Sequence, residues 1–449
     1  MVAGDQPMFR CIVLGAAGRD FHDVQTFFRD HPGFRVVAIT AAQIPYIDQR
    51  SFPKELAGPS YEEDIPIALE EELPALLLQH RADWVFLAYS DLSHEAVMHK
   101  ASIALAHGAG FAIAPPKMTQ LKSVRPVVSV TAVRTGAGKS PVTQWLAAHL
   151  RARSLRVGVL RHPMPYGDLR AQAVQRFASE ADLERHQCTI EEREEYEPYV
   201  AAGHAIFAGV DYRSVLRAAE RESDVILWDG GNNDLSFLAS DLSIVVCDAL
   251  RPGHEVQFHP GEANLRAADV LVINKVDDAR STDVEAIMAR ASECNPRAAV
   301  VTAGLDIDVD PPGIVKGRRA LVIEDGPTVT HGSMPHGAGL VAARREGARE
   351  ILDPRAFAVG SIRAAYERYP HMGPVLPALG YSDEQREDLR ATIAASGAEV
   401  LVDGSPARVD RVVAVEIPVA RVRYRFAQRS GEPLAERVDR VIDAMLKRE

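Results

Sequence analysis

Basic residues are in short supply. The chain of 449 residues carries 51 Lys and Arg against 62 Asp and Glu, a formal net charge of −11 with His neutral. Such a chain lacks the broad positive footprint of a non-specific nucleic-acid binder. An anionic ligand must therefore be met by locally gathered Arg, Lys and backbone N–H groups. Cysteine is also scarce: Cys11, Cys188, Cys247 and Cys294 lie far apart, with no C-x-x-C pair. That argues against a disulfide framework or a zinc ribbon and fits a reducing cytoplasm. No apolar run reaches the roughly 18 residues needed to span a bilayer. The opening MVAGDQPMFRCIVLG has an acid where a signal peptide wants bases, and it reads as a first strand. The expectation is a cytoplasmic protein that binds neither nucleic acid nor membrane. Fixed-period repeats and low-complexity tracts are absent as well.

What is present is ordinary globular material, 47% hydrophobic and 25% charged, enough for about three domains. The coarse pattern is strand, Gly-containing turn, helix, repeated, which implies an α/β fold with parallel sheets covered by helices. Strands are predicted at Phe9–Leu14, Phe34–Thr40, Asp83–Tyr89 and Phe111–Ala114, with a helix over Ser93–Ala106. Residues 1–124 read as a Rossmann-like domain. Residues 125–318 read as a central P-loop domain with a mainly parallel sheet. Its strands are placed at Val127–Ala132, Arg156–Leu160, Val225–Trp228, Leu242–Cys247, Val270–Ile273 and Ala298–Thr302. Residues 319–449 read as a smaller C-terminal α/β or α+β domain. It contains Arg319–Ile323, Glu399–Val402, the β-rich run Val412–Phe426 and a closing helix over Pro433–Leu446.

The strongest chemical signal is the strand Val127–Ala132 running through Val133-Arg134-Thr135-Gly136-Ala137-Gly138-Lys139-Ser140 into an amphipathic helix. Glycines let the backbone wrap a phosphate chain with its N–H groups inward, and the helix N-terminus adds partial positive charge. Lys139 reaches the β- and γ-oxygens, and the Ser140 hydroxyl holds Mg²⁺. The first glycine of the usual pattern is replaced by Val133. Arg134, five positions before Lys139, is placed to neutralise phosphate on the nucleotide or on an acceptor. A second apolar strand ends in Trp228-Asp229-Gly230-Gly231-Asn232-Asn233-Asp234, which puts Asp229 where a P-loop fold keeps its metal ligand. A third ends in Asn274-Lys275-Val276-Asp277, a nucleotide-base element in which the acid reads the base edge.

Further candidates surround these. Arg161, His162 and Arg170 follow the second strand as acceptor-phosphate ligands, and Asp168 is a candidate second metal ligand; surface charge is the alternative for each. Five glutamates fall in the seven positions Glu191–Glu197, ordinarily a solvated helix face, with Glu195 and Tyr196 as the functional candidates. The turn Gly15-Ala-Ala-Gly18 reads as a tight turn against a helix, with a dinucleotide loop as the alternative. Thr330–Gly339, rich in Gly and His, reads as a functional loop or a plain turn.

Together, Ala-Val-Arg-Thr-Gly-Ala-Gly-Lys-Ser, Cys-Thr-Ile-Glu-Glu-Arg-Glu-Glu-Tyr-Glu, Trp-Asp-Gly-Gly-Asn-Asn-Asp and Ile-Asn-Lys-Val-Asp, in that order, resemble the cyclic 2,3-diphosphoglycerate synthetase family. The resemblance spans nearly the whole chain. It implies ATP- and Mg²⁺-dependent closure of a small anionic phosphorylated substrate into a cyclic pyrophosphate, with K⁺ stimulation and a homodimer. Two other readings stand beside it. One is a regulatory or metallochaperone-type GTPase, resting on the Asn274–Asp277 element. The other is a nucleotide sensor without turnover.

Overall fold

The computed structural model describes residues 8–15, 18–42, 50–162, 167–231, 234–330, 332–379, 382–405, 409 and 413–447. The N-terminal part builds a sheet from β1 (Phe9–Gly15), β2 (Phe34–Ala41), β3 (Ser51–Phe52), β4 (Ile65–Leu69), β5 (Trp84–Leu87) and β7 (Gly110–Ala112). Its order is β3-β4-β2-β1-β5-β7, parallel except for the edge strand β3. The buried run Cys11–Leu14 of β1 is apolar on both faces, which a sheet covered on both sides requires. After β1 the chain forms an α-helix at Arg19–Asp23 that continues as a π-helical turn over Val24–Phe28. Ser93 caps the helix His94–Ala106, its side chain accepting from the Ala96 N–H. The short β6 (Leu92–Ser93) pairs with β14 (Phe258–His259), tying this part to the next.

A second sheet takes up the rest of the chain. Its strands are β8 (Val127–Ala132), β9 (Val157–Arg161), β10 (Gln175–Phe177), β11 (Ala205–Ala208), β12 (Val225–Asp229), β13 (Leu242–Asp248) and β15 (Val270–Asn274), followed by β16 (Ala299–Asp310), β17 (Arg319–Glu324), β18 (Glu350–Ile351), β19 (Leu376–Pro377), β20 (Val400–Asp403) and β21 (Val419–Ser430). The order is β10-β11-β9-β12-β8-β13-β15-β16-β21-β20-β17-β18, with β19 also on β17. The β8, β9 and β12 tips therefore lie side by side, and their C-terminal residues converge.

The boundary expected near 318 does not separate two sheets. β21 runs antiparallel to β16 and parallel to β20, joining the two halves. The junction carries cross-strand pairs Arg423–Asp310 and Arg425–Asp308, both 2.7 Å. Exposed pairs like these contribute little each, and they fix register more than stability. The closing helix Leu434–Leu446 turns Leu434, Val438 and Ile442, four residues apart, onto the central core with Leu146 and Phe426. Arg153, beyond the helix Lys139–Ala152, grips Asp439 at 2.7 Å and Asp443 at 2.5 Å on that closing helix. These residues pack the closing helix onto the core that holds the Lys139–Ala152 helix. Pairing partners over a hundred residues apart leave no local trace in the sequence.

Truncating Ile442, which is fully buried, to Ala should cost about 2–5 kcal/mol of unfolding free energy in guanidinium titrations. A loss below about 1 kcal/mol would mean that the closing helix is not part of that core.

Candidate functional site

The turn from Val133 to Ser140 opens a cavity of about 190 Å³. Gly136 and Gly138 have φ of 77° and 97°, in the left-handed region that favours glycine. Gly138 has a second constraint, since a Cβ there would stand 2.2 Å from Asn274 Nδ2. Thr135, Gly136, Gly138, Lys139 and Ser140 line the cavity. Ala137 is buried beneath the turn.

Lys139 begins the helix and donates from Nζ to Asp229 Oδ1 at 3.1 Å. Arg161, at the tip of β9 and 1% exposed, bridges Asp229 and Glu195. Tyr199 donates to Asp229 Oδ2 at 2.6 Å. Burial alone would raise the Asp229 carboxyl, yet Arg161 and Lys139 outweigh it and hold it below the usual range. Burial, with Arg161 adding to it, pulls Lys139 down to about 8 against the attraction of Asp229. Two cations and two carboxylates thus meet where three strand tips converge. Asp229 stands here as a charge partner with both oxygens engaged. Ser140 is among the hydroxyl residues that line the cavity, and it is the one that would hold a metal ion carried in on phosphates. Among the described residues no group of three or more His, Cys, Asp or Glu could hold a metal ion.

Arg134 also lines the cavity and is anchored from behind. Its Nε donates to Asp91 Oδ1 at 2.7 Å, NH1 donates to His254 Nδ1 at 2.7 Å, and its guanidinium lies 3.6 Å from the Phe258 ring centroid. Burial, with Arg134 beside it, holds His254 down at about 4, as an acceptor there must be. Asp91 comes from the N-terminal part, so both sheets contribute to the position of this arginine.

The base element divides in two. Asn274 donates to Ala137 O at 3.0 Å, and Lys275 donates to Gly136 O at 2.6 Å and to Asp248 at 2.8 Å. These two residues brace the turn. Asp277 does not face the cavity: Arg429 of β21 holds it through bonds of 3.0 and 2.7 Å. The neighbouring Asp278 lines the cavity instead. The expected base-reading role of Asp277 is corrected accordingly, because the joined sheet brings Arg429 onto it.

Three other expected ligands lie elsewhere. Arg170 is exposed and pairs with Glu55 and Asp64 of the N-terminal part at 3.0 and 3.4 Å. Asp168 caps its own turn, accepting from the Arg170 N–H at 2.8 Å. His162 pairs with Asp234 at 2.6 Å between the two sheets. Its ring also sits on Gly18, where a Cβ would stand 2.0 Å from Nε2. Asp20 accepts the Gly18 N–H at 2.6 Å. That N–H is thus already taken by a carboxylate, which favours the tight-turn reading over a dinucleotide loop. Residues 16–17, 163–166, 232–233 and His331, which fall in the motifs discussed, lie outside the described residues.

The glutamate run is no solvated face. Glu192 is buried and completes a capping box with Thr189, and Glu194 and Glu195 line the cavity. Tyr196 stacks on Phe177 at 4.6 Å and is core. The Gly- and His-rich loop does form a wall, through Met334, His336 and Gly337. Local reading missed Glu324 and Asp325, which line the cavity with Tyr424. The signal was there: an apolar strand, Ala320–Ile323, ending in acids, the same pattern that marked Asp229.

No protein-family model matches the chain. The chain is 52% identical over 429 residues to "Arginine synthetase ArcE" of Thermococcus kodakarensis, 96% of each chain being covered. It belongs to the ArcE family. Members of the tetraacyldisaccharide 4'-kinases also align, the Anaeromyxobacter sp. protein at 31% over 219 residues, 45% of this chain and 57% of that one. These names, a synthetase and a kinase, place the ArcE-family chain among ATP-dependent P-loop enzymes. Among solved structures, LpxK from Aquifex aeolicus in complex with ATP covers 83% of this chain and 99% of that one at a TM-score of 0.44 and 13% identity. The ParA-family ATPase of Chlorobium tepidum reaches a TM-score of 0.24. Both likenesses are too loose to carry more. The resemblance to a P-loop synthetase family holds; the relative that decides the family carries arginine, not diphosphoglycerate, in its name. Among the described residues no helix is long and apolar enough to cross a membrane.

Replacing Gly138 by Ala should weaken nucleotide binding more than tenfold in calorimetry, because Asn274 leaves no room for a Cβ. Asp277→Asn should leave both ATP and GTP affinities unchanged. A selective loss of GTP in that variant would restore the base-reading role.

Proposed function

We propose that this protein is an ATP-dependent synthetase that makes arginine by forming a C–N bond. The observation that carries the reading is the mixed lining of one cavity, which holds a phosphate cradle with Lys139 together with Glu194, Glu324 and Asp325. A triphosphate suits the cradle. The carboxyls suit a group bearing positive charge better than a bisphosphate.

Chemical disconnection supplies the acceptor. Removing one terminal nitrogen from arginine and restoring an oxygen gives a ureido acid, L-citrulline. Its ureido oxygen takes the γ-phosphoryl group, ADP leaves, and the carbon becomes an electrophile with phosphate as its leaving group. An ammonia lone pair then forms the C–N bond, the C–O bond breaks, and phosphate departs with one proton from the attacking nitrogen. Lys139, turning from Asp229 to the phosphates, neutralises charge on the transferred group, while Arg161 remains to hold Asp229. Ser140 would hold Mg²⁺, which supplies charge neutralisation at the phosphate oxygens. Arg134 positions a phosphate oxygen from the N-terminal side. Confining both reactants in one cavity removes up to about 7–11 kcal/mol of barrier in favourable cases.

The second reading keeps the same activation step and gives it to 2,3-diphosphoglycerate, with closure to a cyclic pyrophosphate. Arg134, aimed into the cavity, is the feature that favours it. The regulatory GTPase reading is weakened by Asp277 pairing with Arg429.

Purified protein with ATP, Mg²⁺ and K⁺, given citrulline and ammonium or given 2,3-diphosphoglycerate, distinguishes these readings. Arginine with equal amounts of ADP and phosphate, followed by amino-acid analysis and ³¹P NMR, is the expected result. A cyclic phosphorus species would transfer the assignment to the second acceptor. Lys139→Ala should abolish turnover while leaving the thermal unfolding temperature within a few degrees.

A further inference from the structure

A second, larger cavity lies in the cleft between the N-terminal part and the central domain. It measures about 650 Å³, within the roughly 300–1,000 Å³ usual for small-molecule sites. Among the described residues it shares none of its lining with the phosphate cavity. One wall is built by His22 of the helix Arg19–Asp23 and by the π-helical turn that continues it, with Asp30 just beyond. The other wall is the start of the helix Tyr212–Glu222, with Asp211 as its cap. Gln25 Nε2 donates to Val210 O at 2.7 Å and ties the two walls together. A π-helical turn inside a helix is rare and frequently marks a functional site.

An independent feature of this cleft points to a ligand. His22 is 2% exposed and lines it. Its Nε2 lies 2.7 Å from Thr119 O. A carbonyl oxygen only accepts, so Nε2 carries the proton and Nδ1 is left as an acceptor. Burial, with Arg19 adding to it, holds the imidazole well below its usual range, so the ring stays neutral. Nδ1 meets no hydrogen-bond partner. The ring is fixed in this orientation, stacked on Phe237 at 4.0 Å and edge-on to Tyr212 at 5.8 Å. A buried acceptor of this kind carries an uncompensated desolvation cost until a donor reaches it.

Charge of both signs lines the same cleft and is not spent inside the protein. Arg213 and Asp30 are exposed, and among the described residues neither has an ion-pair partner. Arg213 stands close enough to His22 to disfavour its protonation. Asp211 is occupied as the helix cap, its oxygens accepting from the Ser214 N–H at 3.1 Å and the Ser214 hydroxyl at 2.7 Å. The cleft therefore offers one unpaired guanidinium, one unpaired carboxylate and one buried acceptor.

We propose that this cleft is a second ligand site, which takes a free α-amino acid: its carboxylate on Arg213, its ammonium group on Asp30 and a side-chain N–H on His22 Nδ1. A zwitterion answers both charges at once, which a phosphate or a simple cation does not. A side chain that ends in N–H groups supplies the donor that His22 lacks. Arginine and citrulline both end in this way. Their choice as probes rests on the arginine-forming reading above, whereas binding in the cleft needs no turnover.

Equilibrium dialysis of the intact, nucleotide-free protein against ¹⁴C-arginine tests the site. Arg213→Ala and Asp30→Asn, both at the surface, should each bind one equivalent fewer than the wild type, with ATP affinity and thermal stability kept. L-Norvaline has the same α-amino acid head without N–H groups at the end of its side chain. It should displace arginine from this site about tenfold less well than citrulline does. His22→Phe, which keeps the stack on Phe237, should remove that difference. Equal stoichiometry in the wild type and Arg213→Ala overturns the proposal, and so does a wild type that binds no arginine. Displacement by an equal concentration of inorganic phosphate would show a plain anion site and overturns it as well. If arginine binds as expected but none is made from citrulline, ammonium and ATP, the synthetase reading fails while the site stands. If arginine is made but both surface variants bind it as the wild type does, the site fails while the synthetase reading stands.

Discussion

The structure turns on one buried group of charges. Lys139, Arg161, Asp229 and Glu195 meet at the tips of three adjacent parallel strands, and all but Glu195 are nearly or wholly shielded from solvent. Taking four charges out of water costs several kcal/mol each unless every one is matched. Here they match in sign and number, so the group is tolerable only while the strands stay in register and the glutamate helix stays docked. Removing one member would leave a buried charge without its partner. The nucleotide turn inherits its shape from this arrangement, because the lysine that ends the turn is already held at the height of the strand tips.

The same constraint explains how the two outer parts bear on the cavity. The N-terminal sheet supplies Asp91, which positions Arg134 through a 2.7 Å contact. The C-terminal half supplies Glu324 and Asp325. The cavity lining therefore draws on segments nearly two hundred residues apart, Lys139 and Glu324 among them, and neither segment encloses the cavity alone.

Much of this was legible in the order of residues, for identifiable reasons. Buried parallel strands announce themselves as apolar runs, so Val127–Ala132 and Val270–Asn274 could be placed within a residue or so. The Gly-Ala-Gly-Lys-Ser turn carries its chemistry in adjacent positions. Short edge strands such as Ser51–Phe52 lack the length to show a period, and they were not seen. Asp277 looked like a base reader because its partner, Arg429, lies 152 positions away. Arg170 followed the right strand but turned to Glu55 and Asp64 of the N-terminal part, and Asp168 was taken up by its own turn. The run Glu191–Glu197 looked solvated because composition alone cannot reveal that a helix of acids is packed against arginine and a cavity. Local pattern reports local structure; pairing over long separations decides which charged residues become neighbours.

The position of β21 has a consequence for how the molecule is made. This strand is near the end of the chain, yet it lies in the interior of the large sheet, between β16 and β20. While a ribosome is still building the protein, the nucleotide-turn half and the segment bearing Glu324 have no strand to join them. Only when residues 419–430 have emerged can the sheet be completed and Tyr424 take its place in the cavity wall. Nascent chains released early would carry a formed phosphate turn facing an open edge on β16, a surface prone to pairing with other chains.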